Sequence, residues 1–273
     1  MNENKNLPSF LVIGATKSGT TWLYRRLRQH TELWLPPVKE LHYFDILYPH
    51  NKNLTKLNKF IETNIKRQIF SNVKNSLRQH IKSKQNLDRD YILQLMEIVR
   101  EPIFSLEWYI SCFNYDHAKN KICGEVTPSY ATLPSEGILY LKNILPNVKI
   151  IYILRDPVER AASHIKMLAN FMKNNNKEVD LLSLCDAPRV VASSNYKSII
   201  PLWRNHFNDQ NFLIMPFEKI KHDPKGFLRS IKEFLVLNDD FDDVNLTNKA
   251  NEGIDIDLPP EVMKKLESKL KSQ

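Results

Sequence analysis

The sequence is poor in glycine and cysteine, and both shortages restrict what the chain can be. Six glycines in 273 residues leave no glycine-rich linker, low-complexity segment or internal repeat. The cysteines, Cys112, Cys123 and Cys185, are odd in number and widely spaced, which excludes the paired patterns of a disulfide framework or a zinc site. We therefore expect three buried thiols, and we expect no metal in the functional site.

The sequence also lacks a long hydrophobic run. No segment approaches the roughly 18 uninterrupted apolar residues of a membrane-spanning helix. The N-terminal MNENKNLPSF does not resemble a signal peptide, so we expect a soluble, cytoplasmic protein. With 42% hydrophobic residues, a chain of this length can bury a full core, and we expect one domain over residues 1–273.

Short apolar runs alternate with segments of helical periodicity along the chain. The runs are Phe10–Gly14, Lys121–Val126, Lys149–Leu154 and Phe212–Phe217. This alternation is typical of a mostly parallel sheet with helices on both faces. It predicts an α/β fold, a P-loop-like three-layer sandwich. Residues 46–113 and about 164–208 are predicted to be helical insertions, the first of them a cap on the acceptor side.

Two of the few glycines, Gly14 and Gly19, bound a loop between the first apolar run and a helical segment. A strand, a tight loop and a helix N-terminus form an anion site, because free backbone N–H groups and the positive helix end point at the ligand. Nucleotide triphosphatases carry lysine directly after the second glycine. Here Thr20 and Thr21 follow it, and Lys17 lies inside the loop. The loop therefore favours a nucleotide other than ATP with magnesium.

Two further segments join this loop in a resemblance to a known family. They are KELHYFD at 39–45 and RDPVERAAS at 155–163. Together the three segments resemble sulfotransferases of the bacterial and Golgi heparan sulfate branch, whose donor is 3′-phosphoadenosine 5′-phosphosulfate (PAPS). Weaker matches at 124–130, 196–207 and 215–224 extend the resemblance over roughly residues 9–240. Val126 departs from it, since the heparan-type enzymes usually carry lysine there.

The resemblance implies a role for each matching residue. Glu40 would be the catalytic base, and Lys17 would stabilise charge on the sulfonate and on the leaving oxygen. The 5′-phosphate would be held by Ser18, Gly19, Thr20 and Thr21, and the 3′-phosphate by Arg155 and Ser163. Lys249 is the candidate for a C-terminal lysine that contacts the nucleotide. The product nucleotide would be adenosine 3′,5′-bisphosphate.

Two of these side chains also have ordinary explanations. Arg155 could instead pair with Asp156 or Glu159 as an ion pair at the end of a strand. His42, two residues after Glu40, would share its face on an extended chain. It either orients the acceptor or is a partly buried histidine with satisfied hydrogen bonds.

The net charge of +8 is concentrated in residues 51–89, which contain ten Lys or Arg and two acidic residues. Apolar residues recur there mostly every four positions, which predicts an amphipathic helix with a break near Ser71 and Asn72, because a strict four-residue repeat drifts around a helix. The segment is either a solvated face over one apolar stripe or an electropositive wall that attracts an anionic acceptor or a membrane surface.

Two rival functions remain open at this stage. A P-loop kinase or nucleotide triphosphatase would share the fold but would need lysine after Gly19. A non-catalytic protein could use residues 51–89 to bind a polyanion, although only Phe60 and Phe70 are aromatic there, so no base-stacking platform for nucleic acid is evident. For a sulfotransferase, a hydroxyl or amine on a small molecule, a lipid or a saccharide would be the acceptor. The sequence does not indicate the oligomeric state.

Overall fold

A computed structural model describes residues 7–50, 55–82, 89–114, 118–176, 178–242 and 256–270. Its five strands form one parallel sheet in the order β2-β3-β1-β4-β5. The strands are β1 (Phe10–Gly14), β2 (Leu33–Trp34), β3 (Ile122–Val126), β4 (Lys149–Leu154) and β5 (Phe212–Pro216). The four predicted strands are confirmed to within one residue. The two-residue β2 was missed because it is too short to show periodicity.

The sheet is buried on both faces, which explains the unbroken apolar runs. Leu11 and Ile13 of β1 belong to one hydrophobic cluster, whereas Phe10 and Val12 belong to another. Alternate side chains of a strand point to opposite faces, so the two clusters lie on either side of the sheet. The predicted sandwich of helices, parallel sheet and helices is confirmed.

Thirteen α-helices are present in the described residues, and a short 3-10 helix spans Pro128–Thr132. The α-helices are α1 (Thr20–Leu27), α2 (Tyr43–Leu47), α3 (Thr55–Lys82), α4 (Arg89–Ile98), α5 (Leu106–Ser111), α6 (Ser135–Ile144), α7 (Pro157–Asn174), α8 (Leu181–Leu184), α9 (Pro188–Ala192), α10 (Tyr196–Arg204), α11 (Glu218–His222), α12 (Pro224–Leu235) and α13 (Pro260–Leu270). In the described part of 46–113 the chain forms the helices α3 to α5, as expected, and the role of this segment as a cap on the acceptor side stays a prediction. The second predicted segment, about 164–208, is occupied by most of α7 and by α8 to α10. Helix α7 begins earlier than expected, at Pro157.

Helix α3 corrects one prediction, because it runs without a break through Ser71 and Asn72. Only Ile65 and Ile69 of this helix are fully buried. Ile61, Val73 and Leu77 also pack against the core while partly exposed. The stripe drifts off the core only towards its ends, where Leu57 and Ile81 are exposed, so the helix needs no break.

The three cysteines are buried and free, as expected. No helix in the described ranges is long and apolar enough to cross a membrane. The cytoplasmic location and the single-domain assignment stay predictions.

The sheet places three of the segments from the sequence at one edge. The loop follows β1, the segment 124–130 includes the end of β3, and the segment 155–163 follows β4. Because β1 lies between β3 and β4 in a parallel sheet, these carboxyl ends are neighbours. Ligands of open α/β sheets bind at this edge.

Candidate active site

The loop after β1 is closed by a left-handed turn at the start of α1. Gly19 has φ 81°, and a Cβ atom there would lie 2.8 Å from the Ile220 side chain and 3.0 Å from Phe217. Both the conformation and the packing therefore require glycine. The first N–H groups of α1 have no acceptor within the helix, so they are available to a ligand.

The hydroxyl of Ser18 indicates that this loop fits an anion. Its hydroxyl is fully buried and has no partner in hydrogen-bond geometry among the described residues. The Tyr196 hydroxyl interacts weakly with it but is itself buried and unpaired in that part of the chain. A buried unpaired hydroxyl costs about 1–3 kcal/mol. A phosphate oxygen accepting from Ser18 would recover that cost, so the loop fits a phosphate group.

Arg155 connects the loop to the end of β4. Its Nη1 donates to the backbone carbonyl of Lys17 at 3.0 Å, and its guanidinium lies 4.8 Å from the centre of the Phe217 ring. Arg155 also pairs with Glu159 at 3.2 Å, so the ion pair considered from the sequence is present. Glu159 is largely exposed, and such a pair is weak enough to exchange for a phosphate.

Ser163 lies on α7, partly buried. Residues four apart share a helix face, so Ser163 lies on the same side of α7 as Glu159, which Arg155 contacts. Arg155 thus reaches the side of α7 that carries Ser163. Lys249 lies outside the described residues.

Arg160 is a fully buried cation behind the loop that sequence reasoning missed. It donates to Ser194 Oγ at 2.9 Å, to the Val190 carbonyl at 2.6 Å and to the Thr16 carbonyl at 3.4 Å. No ion pair within the described residues joins it to a carboxylate. Burial lowers the pKa of Arg160 to about 10, and this arginine remains a positive charge beside the loop at neutral pH.

The electrostatics of the loop also favour an anion. Burial lowers the pKa of Lys17, and repulsion from Arg155 and Lys39 lowers it further, while Glu40 partly opposes the shift. Burial, followed by Arg160 and Lys17, lowers the pKa of His164 to about 3, so this imidazole stays neutral. A bound dianion would relieve the repulsion among these cations.

Glu40, His42 and Lys39 form the second part of the site. Lys39 Nζ donates to Glu40 Oε1 at 2.5 Å and reaches Thr20 Oγ1 of the loop at 3.4 Å. The other Glu40 oxygen, Oε2, lies 3.4 Å from His42 Nε2. On its far side, His42 Nδ1 contacts Asp45 Oδ2 at 2.9 Å. The structure thus brings Glu40 and His42 together and joins both to the phosphate loop through Lys39.

The backbone at Glu40 and His42 differs from the extended chain we expected. Their φ angles are 67° and 58°, and Lys17 has φ 71°. Non-glycine residues rarely adopt this left-handed conformation, and such strain concentrates at functional sites. The turn at each residue, rather than strand geometry, places His42 against Glu40.

The charges of this group are set by its neighbours. Burial raises the pKa of Glu40, but Lys39 and His42 outweigh it and lower the value to about 2. Burial lowers the pKa of His42, but Asp45 and Glu40 outweigh it and raise the value to about 10. Glu40 is therefore ionised and His42 protonated across the physiological range.

A buried hydrogen-bond network around Glu125 holds the segment that carries His42. Glu125 of β3 accepts from the hydroxyls of Tyr109 at 2.7 Å, Thr127 at 2.6 Å and Tyr130 at 2.8 Å. The Tyr130 hydroxyl in turn accepts from the backbone N–H of Tyr43 at 3.0 Å. Because Tyr43 directly follows His42, this network fixes the segment that carries the histidine.

Comparison with known proteins agrees with this geometry. The model of the sulfotransferase family matches residues 8–243. The chain belongs to this family. Its central parallel sheet is shared with a sulfotransferase from Alicyclobacillus acidocaldarius, with a TM-score of 0.59 and 19% identity over 97% of this chain and 92% of that one.

Two curated sulfotransferases are similar in sequence. Membrane-associated sulfotransferase kil1 of Dictyostelium discoideum is 28% identical over 171 residues, covering 62% of this chain and 25% of that protein. Carbohydrate sulfotransferase 15 of Homo sapiens is 23% identical, covering 85% of this chain and 44% of that protein. The chain thus spans less than half the length of either relative.

Family membership and geometry together disfavour the kinase alternative. A kinase or nucleotide triphosphatase would use an acidic residue at a strand end to organise magnesium. The carboxylate after β4, Asp156, instead caps α7 by accepting from the Glu159 N–H at 2.8 Å. Membership of the sulfotransferase family likewise disfavours the purely polyanion-binding alternative.

Proposed function

We propose that this sulfotransferase-family chain moves a sulfuryl group from PAPS to a hydroxyl or amine of a small-molecule, lipid or saccharide acceptor. The observation that carries the proposal is the hydrogen bond from Arg155 to the Lys17 carbonyl. This hydrogen bond connects the loop, which suits a 5′-phosphate, to the arginine, which suits a 3′-phosphate. Arginine fits this task because its planar fork binds phosphate oxygens in pairs.

PAPS would supply the sulfuryl group and leave as adenosine 3′,5′-bisphosphate. Ser18, Thr20, Thr21 and the N–H groups of α1 would bind the 5′-phosphate, and Arg155 with Ser163 would bind the 3′-phosphate. Glu40 would accept the proton of the acceptor as the new bond to sulfur forms. Lys17 would stabilise the negative charge that grows on the departing oxygen.

Through Lys39, nucleotide binding would make Glu40 a stronger base. A carboxylate whose pKa is about 2 is a weak base, and Lys39 is one cause of that low value. Lys39 also reaches Thr20 in the phosphate loop. An anion in the loop would compete with Glu40 for the Lys39 ammonium, and loss of that ion pair would raise the pKa of Glu40.

The proposal is tested by transfer to a panel of acceptors. We expect release of adenosine 3′,5′-bisphosphate that depends on an added alcohol or amine, with a product heavier by the mass of SO₃ in mass spectrometry. ATP with magnesium in place of PAPS should give no modified acceptor. Transfer of phosphate from ATP would overturn the proposal in favour of a kinase.

A further inference from the structure

One side of α3 presents cations and large apolar side chains together. Because residues three and four apart share a helix face, this side lies opposite the buried Ile65 and Ile69. We call it the outer face of α3, and it is formed by Lys56, Phe60, Arg67, Phe70, Lys74, Arg78 and Ile81. Phe60 is 60% exposed, Phe70 45% and Ile81 57%.

The charge of this helix is strongly one-sided. Within its described length α3 contains seven Lys or Arg residues and a single acidic residue, Glu62. Glu62 pairs with Lys66 at 3.6 Å on the flank of the helix, and Lys66 also reaches Glu101. No carboxylate of α3 therefore lies on the outer face, so its positive charge is not neutralised within the helix.

We propose that the outer face of α3 binds an anionic lipid bilayer, with the helix lying in the plane of the headgroups. Helices that bind in this way combine Lys and Arg with exposed Phe or Leu, and they need no membrane-spanning length. At 1.5 Å per residue, the 28 residues of α3 provide a contact line about 42 Å long. This binding surface does not depend on the proposed transfer reaction.

The exposed phenylalanines distinguish a bilayer from other partners. A nucleic acid or a sulfated glycan would pair with Arg67, Lys74 and Arg78, but it would leave Phe60 and Ile81 in water. A solvated face gains nothing from Phe60, Phe70 and Ile81 lying on the same side as the cations, whereas a helix at a bilayer surface uses both. In a bilayer the cations would meet lipid phosphates and carboxylates, while the apolar side chains would enter the boundary of the acyl region.

The test measures sedimentation of the full chain with vesicles. Two double variants separate the two contributions: Arg67→Gln with Arg78→Gln removes charge, and Phe60→Ser with Phe70→Ser removes apolar surface. Helix α7 offers a matched control, Phe171→Ser with Lys173→Gln, because Phe171 is 62% exposed and Lys173 is also at the surface. Circular dichroism verifies the fold of each variant.

We expect binding to vesicles that contain about one third phosphatidylserine and little binding to phosphatidylcholine alone. Each α3 double variant should lower the partition coefficient by about tenfold or more, and the α7 control should bind like the parent chain. Equal binding to both kinds of vesicle, or none, would overturn the proposal.

Two other results would assign the surface to a different partner. Binding of heparin or duplex DNA that is lost with the arginine pair but kept with the phenylalanine pair, without vesicle binding, would make it a polyanion site. A dimer in light scattering that becomes a monomer in the phenylalanine variant, again without vesicle binding, would make it an interface between two copies.

Discussion

Replacing Glu40 with glutamine is expected to lower acceptor sulfation by about 10²–10⁴-fold, the usual contribution of a general base. Glutamine has nearly the same shape and can still contact Lys39 and His42, so the fold and the affinity for adenosine 3′,5′-bisphosphate should change little. The measurement pairs calorimetry of the nucleotide with turnover of one accepted substrate. Turnover near that of the parent chain would contradict the base assignment.

The pH dependence of kcat/KM, which reports the titrating groups of the free enzyme, supplies a second test of the base. Glu40 has a pKa of about 2 and His42 of about 10 in the free protein, so neither group gains or loses a proton near neutrality. We therefore expect no inflection near the ordinary histidine value of about 6.5. As pH rises, kcat/KM should fall when Lys17 loses its proton, because burial, Arg155 and Lys39 lower its pKa. An inflection near 6.5 that disappears in His42→Gln would show that His42 titrates as the base.

Lys17→Met is expected to lower the turnover number by about 10²–10³-fold, comparable to the loss of one oxyanion-stabilising donor. Binding of adenosine 3′,5′-bisphosphate should weaken far less. The ammonium interacts with charge that grows as the sulfonate departs, and interactions made mainly in the transition state appear in the turnover number. Methionine keeps an unbranched side chain only one atom shorter than that of lysine, and the backbone carbonyl that Arg155 binds remains in place.

The role of Lys17 is decided by comparing the loss of turnover in Lys17→Met with its loss of nucleotide affinity. Equal reductions in nucleotide affinity and in turnover would make Lys17 a ground-state phosphate ligand. Lys17→Arg serves as the matched control, because it keeps the charge at the same backbone position. We expect it to retain more turnover than Lys17→Met.

The sequence predicted the parts of the site that depend on local order. A buried parallel strand requires a continuous apolar run, and a phosphate loop requires glycine at its turn, so β1, β4 and Gly19 were recognisable. The amphipathic pattern of residues 51–89 likewise predicted a helix, which the structure has at Thr55–Lys82. It misled about the break near Ser71, because the pattern does not show how much of the stripe touches the core.

The sequence could not predict the contacts that depend on backbone strain or distant partners. Lys39 and Asp45 lie within the KELHYFD segment, but their contacts with Glu40 and His42 follow from left-handed turns that no periodicity reveals. Arg160 reads as a surface charge on α7. It is buried because Val190 and Ser194 return to cover it from about thirty residues further along the chain.

Calorimetry of two nucleotides tests the central claim most directly, namely that the site recognises the 3′-phosphate of a PAPS-type donor. A charge-assisted hydrogen bond contributes roughly 1.5–3 kcal/mol, so adenosine 3′,5′-bisphosphate should bind at least about tenfold more tightly than AMP. Arg155→Gln should remove most of this preference, with AMP affinity as the reference for intact loop geometry. Equal affinity of the parent chain for the two nucleotides would contradict the PAPS assignment.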